Sequence, residues 1–537
     1  MGPVVATSED CHFPSRFGPL KTVTCLLLLA AVFAKGGNTY RSQPLDTFHE
    51  GESLGPAVDY MHGKVPYRDT IFIHGPFQDP LRSVLAFKLF GQSIAAFRSL
   101  QSLLGFLTLV CFLIASYFLY YRNVYYMAIS VFFLITLGYI RPFGAVFQLS
   151  YTDIPLLGLV AVGALIQQSM AKEDQVNEKA RGYILLFLFS FIASAAFSVS
   201  VDKGLFLSMA SLLCLVAVCL IYLTRSRPWC ALVVLGGYTT GMAAFGLSIG
   251  WAYGEFWEFF AVLARYEPFL NGLVYPFEQF EFLLPVIFVS ATLCWLTRRF
   301  LEWAYWCEGG FRKGAKEFYV AYFVEILFLI LSVAYFRRAL GRSDVEHVAS
   351  VTGVILMSTM YILMKHYLAP LLRKRRWETG VVPPLAVFVL VAFLITFAPR
   401  INWAHWYKLP LDMPDEAFIT EDYHDTIDFL KKNMSPDEAF LTLTSEASWY
   451  YFLEKPCPIR FSVIYHAMPY FYQKEIVRDL QKGNVKFVLY RNGHWANAVD
   501  GVETQVRVPM VVEYIRNNYE LHRMIGDNEI WIRKDLC

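Results

Sequence analysis

Residues 46–80 read DTFHEGESLGPAVDYMHGKVPYRDTIFIHGPFQDP, placing six carboxylates (Asp46, Glu50, Glu52, Asp59, Asp69, Asp79) and three histidines (His49, His62, His74) in one segment of an otherwise apolar chain. Side chains of these types move protons near neutral pH or ligate metals, so the segment offers acid–base or metal chemistry. Asp46 and Glu50 are four residues apart, and one helical turn or a tight loop would aim both at the same point. A carboxylate there acts as a general base when it reaches an acceptor hydroxyl and stays ionised. The alternative for any one of them is a solvated loop charge. His49, Glu50, His62 and His74 also invite a divalent-metal reading, although histidine spacings of 13 and 12 match no compact ligand motif.

The elements that must position these groups are membrane helices. Hydrophobic residues make up 56% of the 537 and charged residues 17%, too apolar a balance for a soluble fold to hide. Runs near the ~20 residues that cross a bilayer fall at 20–38, 98–119, 124–141, 152–169, 182–201, 204–223, 229–250, 282–298, 317–336, 345–364 and 381–398, about eleven spans. The first follows Lys21 and ends in AVFAKGG like a secretory signal, but ten more runs follow and it reads as a retained anchor. A net charge of +2 offers no basic face for a phosphate backbone, so nucleic acid is excluded as a partner. Six of the ten cysteines (Cys25, Cys111, Cys214, Cys219, Cys230, Cys294) lie in or beside apolar runs and read as small buried hydrophobes.

Most loop bases fall in 171–181, 224–229, 297–317 and 365–380, all on one side if eleven spans alternate, and their excess assigns that side to the cytoplasm. The other side receives 46–80, 141–153, 200–204, 251–281 and everything after 400. The segment FRRALGR (336–342) breaks the pattern by placing Arg337, Arg338 and Arg342 there. A miscounted span, arginines snorkelling at a helix end and a site for an anionic lipid head group remain open. From Asn402 onward the apolar runs shorten and alternate. AFLTL (439–443) and KFVLY (486–490) read as strands, 473–483 as a helix, and 519–534 as a hairpin turning at Asp527 and Asn528. The expected division is a transmembrane unit over 1–400, with its first external loop at 39–97, and an external α/β unit over 401–537.

The run from Glu50 to Pro76, with a carboxylate just past the first span, a helical stretch through AVDYMHGK, then VPYRD and HGP, resembles the first external loop of GT-C glycosyltransferases. The likeness is to the branch of protein O-mannosyltransferases and lipid A aminoarabinose transferases, which use polyprenyl-phosphate sugars. That branch opens the loop with aspartate and glutamate, carries G-x-x-P-Y-x-D in the middle and closes on a His-Lys-Pro-Pro-like motif. The matching positions here are His49-Glu50, then Gly63 to Asp69 reading GKVPYRD, then His74-Gly75-Pro76-Phe77. The middle agrees. His49 stands where the family has its aspartate base, which leaves Asp46, three residues earlier, or Glu50 partnered by His49. Gly75 stands where the family has lysine, so another cation must supply that charge.

Lys203 in FSVSVDKGLF is a candidate for that cation, since these enzymes often carry a cation followed by glycine near this point; a plain loop pair with Asp202 is the alternative. Arg141 and Asp153 border the second external loop in RPFGAVFQLSYTDIP, where the resemblance implies a carboxylate before a proline-started helix, and Asp153 also reads as an N-cap ahead of Pro155. Asp69 and His74 are further loop candidates. The aromatic run at 449–452 and the stretch 456–480 resemble external domains of bacterial members. Cys457 and Cys537 are candidates for a disulfide if they prove to be neighbours.

The expected fold is a polytopic α-helical membrane protein of GT-C-like form with a small C-terminal α/β soluble domain. The expected function is an inverting transfer of sugar from a polyprenyl-phosphate-linked donor to a hydroxyl of a lipid, glycan or protein, with Asp46, Glu50 and His49 at the base. Lys203, Arg141, Arg337 and Arg338 are the expected contacts for the donor phosphate. The absence of a nucleotide-binding glycine motif agrees with a lipid-linked donor; a divalent metal stays open. Membrane lipids are partners, and the location is a bacterial plasma membrane with a periplasmic C-terminal domain, or an endoplasmic reticulum membrane. A polytopic transporter, with ionisable groups at mid-membrane, and a non-catalytic assembly or receptor protein are the rivals.

Overall fold

The computed structural model describes residues 18–35, 43–137, 149–171, 176–223, 229–270, 280–307, 310–341, 345–374, 380–397, 411 and 413–536. Among the described residues, every run read as a span is mainly helical. Among the described residues, seven helices are long and apolar enough to cross a membrane. Phe311–Ala321 and Phe323–Arg337 pass together as a pair bent by 76°, and Pro19–Ala31, Val124–Leu134 and Val382–Thr396 are shorter apolar helices. With lipid outside, helix contacts rest on close backbone approach rather than on the hydrophobic effect. Helix Cys230–Ser248 shows this against Val176–Val199. A Cβ at Gly237 would lie 2.6 Å from the Phe187 carbonyl oxygen, and one at Gly241 would lie 2.7 Å from that of Phe191.

The C-terminal part holds a four-stranded mixed sheet. Strands β1 (Ala439–Thr442), β2 (Val485–Arg491), β3 (Tyr519–Ile525) and β4 (Asn528–Arg533) lie in the order β1-β2-β4-β3, with β1 and β2 parallel and the other pairs antiparallel. Both strands and the hairpin fall where alternation places them, and helix Tyr470–Lys482 covers the stretch of helical spacing. The hairpin turns at Gly526 and Asp527, one residue earlier than the spacing predicts. Gly526 adopts φ 54°, a backbone conformation that glycine reaches without a Cβ clash.

The first loop and this sheet share one hydrophobic core, in which Leu54, Val58 and Tyr67 join Phe440, Trp449, Val488 and Ile530. Helix Gly51–Met61 lies against the short helix Ser448–Phe452. A Cβ at Gly51 would stand 2.8 Å from Ser448 N, and one at Gly55 2.6 Å from the Ala447 carbonyl oxygen, so only a glycine face lets the two backbones meet. Asp59 pins the loop at the far end of that helix. Fully buried, it accepts from Thr70 Oγ1 (2.8 Å) and the Cys457 N–H (2.8 Å), and Lys64 Nζ stands 3.0 Å away. The backbone bonds Leu45 N–H to Phe418 O (2.7 Å) and Ile71 N–H to Arg460 O (2.8 Å) complete the seam. Cys457 is buried and unbridged, and Cys537 lies outside the described residues.

Two segments differ from the sequence reading. The turn expected at 200–204 is almost absent, because helix Val201–Leu223 starts two residues after Val176–Val199 ends. The basic stretch from Lys365, expected as a loop, is instead a π-helical turn Met364–Leu368 running into Ala369–Lys374. Lys365 and His366 turn inward to the fully buried Glu325, whose Oε1 accepts from Lys365 Nζ and His366 Nε2, each at 2.7 Å. A carboxylate inside a helix bundle recruits such partners because an isolated charge there is costly.

Candidate active site

Asp46 opens the turn into helix Gly51–Met61. Its Oδ1 accepts the backbone N–H of Phe48 (3.1 Å) and His49 (2.9 Å), and its Oδ2 pairs with His49 Nδ1 at 2.7 Å. Burial would raise the Asp46 pKa, but the His49 side chain and the two backbone N–H groups outweigh it and hold the carboxyl below its usual value. It is ionised at neutral pH and solvent-accessible. Glu50 closes the same turn by accepting the Asp46 N–H on Oε2 (2.9 Å). Arg98 then clamps both Glu50 oxygens, Nε to Oε1 at 2.9 Å and Nη2 to Oε2 at 2.7 Å, while donating to the carbonyls of Gln43 (2.6 Å) and Pro44 (3.1 Å). His49 therefore pairs with Asp46, while Glu50 is held by a buried arginine.

A second cluster, with Glu52 and Asp79 buried and His74 half-buried, lies further along the loop. His74 Nε2 is 3.4 Å from Glu52 Oε2, and the His74 N–H donates to Asp79 Oδ2 at 3.0 Å. Burial disfavours the imidazolium, yet the charges of Asp79, Glu52 and Asp202 win and hold His74 up at about 9. For Asp79, burial and the nearby Glu52 charge push the carboxyl up to about 7 against the pull of His74 and Arg82. Glu52 goes the other way: burial, the largest influence, is outweighed chiefly by His74. His466 is buried and pushed down to about 4, so it is a neutral imidazole. Asp46 with His49 and Glu52 with His74 and Asp79 are thus two acid–imidazole groups on one loop.

The backbone builds this cluster from the HGP segment. Gly75 adopts φ 136° and packs on the junction between two long helices, where a Cβ would meet Ser200 Cα at 3.1 Å and the Val199 carbonyl oxygen at 3.2 Å. A side chain there would crowd this backbone and take up a strained φ, which disfavours a lysine at this position. The His74 carbonyl accepts the Val201 N–H (2.8 Å), tying the loop to the start of helix Val201–Leu223. Tyr67 holds a left-handed φ of 63° while fully buried, and among the described residues its hydroxyl has no hydrogen-bond partner. Strained backbone of this kind persists only where the surroundings enforce it. Arg82, nearly buried, lies over the rings of Phe97 (4.7 Å) and Tyr151 (4.9 Å), with its Nε unpartnered among the described residues.

The remaining candidates are placed as follows. Lys203 is buried against Asp153, to which it donates, and its Nζ also donates to Thr152 Oγ1 at 2.6 Å, so two of the predicted residues form one pair. Asp153 also caps its own helix start by accepting the Ser150 N–H at 2.9 Å. Asp69 accepts the Val65 N–H (2.9 Å) and pairs with Arg68 (3.0 Å) within the loop. Arg337 is exposed on helix Phe323–Gly341, which also carries Arg338, and Arg141 lies outside the described residues. His62 Nδ1 is bonded to the Val58 carbonyl (2.9 Å), His49 to Asp46, His74 to Glu52 and Glu50 to Arg98, so the residues of the metal reading do not converge. Among the described residues no group of three or more His, Cys, Asp or Glu side chains is placed to hold a metal ion.

Glu52 and Asp79 are in the acidic segment, but nothing in their spacing assigns them a role. Arg98 and His466 carry no local signal at all. Asp46 also lines a cleft of about 370 Å³ toward the C-terminal sheet, shared with Tyr423, Arg491, His494 and Trp495.

No protein-family model matches the chain, and no curated protein matches it in sequence. Solved structures do resemble it in arrangement. ArnT from Cupriavidus metallidurans bound to undecaprenyl phosphate is 11% identical, with a TM-score of 0.47 over 95% of this chain and 97% of that one. The apo form of the same protein gives 10% and 0.43 over 96% and 98%. The oligosaccharyltransferase of Archaeoglobus fulgidus in its apo form gives 12% and 0.41 over 91% of this chain and 72% of that one.

Proposed function

We propose that this chain is a membrane glycosyltransferase that moves a sugar from a polyprenyl-phosphate donor to a hydroxyl of a lipid, glycan or protein acceptor, with inversion. One observation carries the reading: an ionised, accessible carboxylate at Asp46 paired with His49, and an imidazolium at His74 paired with Glu52, stand on one loop that packs against the C-terminal sheet. The acceptor O–H gives its proton to Asp46 as its oxygen attacks the anomeric carbon. The bond from that carbon to the phosphate oxygen breaks, and the electron pair leaves with the lipid phosphate. His74 supplies the positive charge that Gly75 cannot carry, and Arg82 is the second cation within reach of the same loop. Charge stabilisation of this kind is often the largest catalytic contribution. One base suffices, because no covalent sugar intermediate forms.

The polyprenyl-phosphate donor is inferred from the GKVPYRD and HGP segments, and the non-cytoplasmic orientation from the loop charges. That orientation gives a periplasmic C-terminal domain in a bacterial plasma membrane, or a lumenal one in the endoplasmic reticulum. Asp46, Glu50 and His49 form the base turn, with Glu50 as its positioning residue through Arg98. Lys203, Arg141, Arg337 and Arg338 remain proposed contacts for the phosphate or its lipid. The test is purified protein with a panel of polyprenyl-phosphate sugars and acceptors, read by mass spectrometry of released lipid phosphate and glycosylated product. Release dependent on an acceptor supports the reading; no release from any sugar lipid across the panel counts against it.

A transporter is favoured by one observation, the carboxylate of Glu325 buried in the helix bundle with Lys365 and His366. That reading predicts substrate flux across sealed vesicles that Glu325→Gln abolishes.

A further inference from the structure

We infer that the cleft between the first loop and the C-terminal sheet is a binding subsite for a neutral pyranose, so that the acceptor is a carbohydrate-bearing molecule rather than a plain lipid or peptide. This rests on the transferase reading above and narrows its acceptor. Trp495 is the platform. It is 48% exposed although part of its ring is covered, His49 lying nearly parallel at 5.7 Å and Phe48 edge-on at 5.0 Å. A large aromatic surface held rigid on one side and open on the other suits the C–H face of a sugar ring.

Beside it stands a polar rim. Arg491 is 7% exposed, lies over the Tyr423 ring at 4.8 Å, pairs with Asp422 through Nη2 and holds its Nη1 4.0 Å from Glu446 Oε1. Behind it Glu446 is fully buried. Its Oε1 accepts from Thr47 Oγ1 (2.7 Å) and from Tyr423, and its Oε2 has no partner among the described residues. The cleft wall carries hydroxyl, carboxylate, guanidinium and imidazole groups from Thr47, Thr420, Asp46, Asp422, Arg491 and His494, a set that suits a ligand that both gives and accepts hydrogen bonds. Sugar hydroxyls do both. Charge decides against an anion, because Asp46, Asp422 and Glu446 surround the single arginine. A cleft of about 370 Å³ falls at the small-ligand end of binding pockets. Asp46 lines the same cleft, so a hydroxyl of a sugar stacked on Trp495 has a route to the proposed base.

The test uses full-length protein in nanodiscs. Methyl α-glucopyranoside, methyl α-mannopyranoside, N-acetylglucosamine and inorganic phosphate are titrated separately, read by saturation-transfer NMR and tryptophan fluorescence. At least one pyranoside should bind, Trp495→Ala should weaken it by about tenfold or more, Trp495→Phe should restore most of it, and phosphate should not compete. Arg491→Gln should weaken the same sugar, and unchanged melting temperatures of the Trp495 variants exclude misfolding. The proposal fails if no pyranoside binds, if phosphate binds in their place, or if Trp495→Ala binds as the parent does. Lipid-phosphate release is scored in parallel. Release without Trp495-dependent sugar binding overturns the subsite and leaves the transferase. Sugar binding without release does the reverse.

Discussion

Asp46 and Glu52 lie on one loop, six residues apart, and both carboxyls are held below their usual values, but by opposite means. Asp46 is accessible and owes its charge to hydrogen bonds made within its own turn. Glu52 is buried and owes its charge chiefly to His74, which in turn owes its own to Glu52 and Asp79. An accessible carboxylate with local support can meet an incoming hydroxyl. A buried one cannot, and acts by fixing the charge of its neighbour. In the proposed function the same group, a carboxylate, therefore serves as proton acceptor at one place and as counter-ion at the other.

The largest break of this comparison comes from the buried half. His74→Gln removes the imidazolium while keeping a polar side chain, and kcat should fall about 10²- to 10³-fold with KM for the acceptor little changed. A loss confined to KM would deny His74 its role in charge stabilisation. Next is Arg98→Met, which leaves Glu50 without its clamp. Removing one partner of a buried pair costs about 3–5 kcal/mol, and since Glu50 is partly accessible the lower end is expected, measured by chemical denaturation. Asp79→Asn should lower the His74 pKa by about one unit, seen as the alkaline limb of the rate profile moving down from about 9.

The smallest effect is on the stability curve. His74 and Asp79 both have folded values above their ordinary ones. The stabilisation from His74 is complete below 6.5 and is lost as pH rises through about 9. For Asp79 the folded form favours the neutral carboxyl, so stability is lost as pH rises from 3.8 through about 7. Asp46 and Glu52 act in the opposite sense, losing their contribution only as pH falls below the ordinary carboxylate range. Melting temperature should therefore decline in two steps, the first between 3.8 and about 7 and the second between 6.5 and about 9, and Asp79→Asn should remove the first.

What the sequence makes legible follows from how local each signal is. Apolar runs and period-two alternation need only neighbouring residues, so the spans, β1, β2 and the final hairpin are readable from it. The pairing of Asp46 with His49 is a spacing of three and is equally local. Glu50 looked like a free base because its partner, Arg98, lies on the next long helix. His466 reaches the loop only through the C-terminal fold. Gly75 packs against the backbone of Val199 to Val201, some 125 residues away, which no local signal announces. Lys365 and His366 read as loop bases because nothing in their neighbourhood announces Glu325.

The most direct measurement is single-turnover transfer from a polyprenyl-phosphate sugar with saturating acceptor, comparing the parent with Asp46→Asn and Glu52→Gln, with donor binding measured separately. The account predicts that Asp46→Asn binds donor normally and loses about 10²- to 10⁴-fold in the chemical step, while Glu52→Gln keeps an active base and shifts the alkaline limb downward. Parent-like turnover in Asp46→Asn, with the loss appearing in Glu52→Gln as an abolished acid limb, would contradict it.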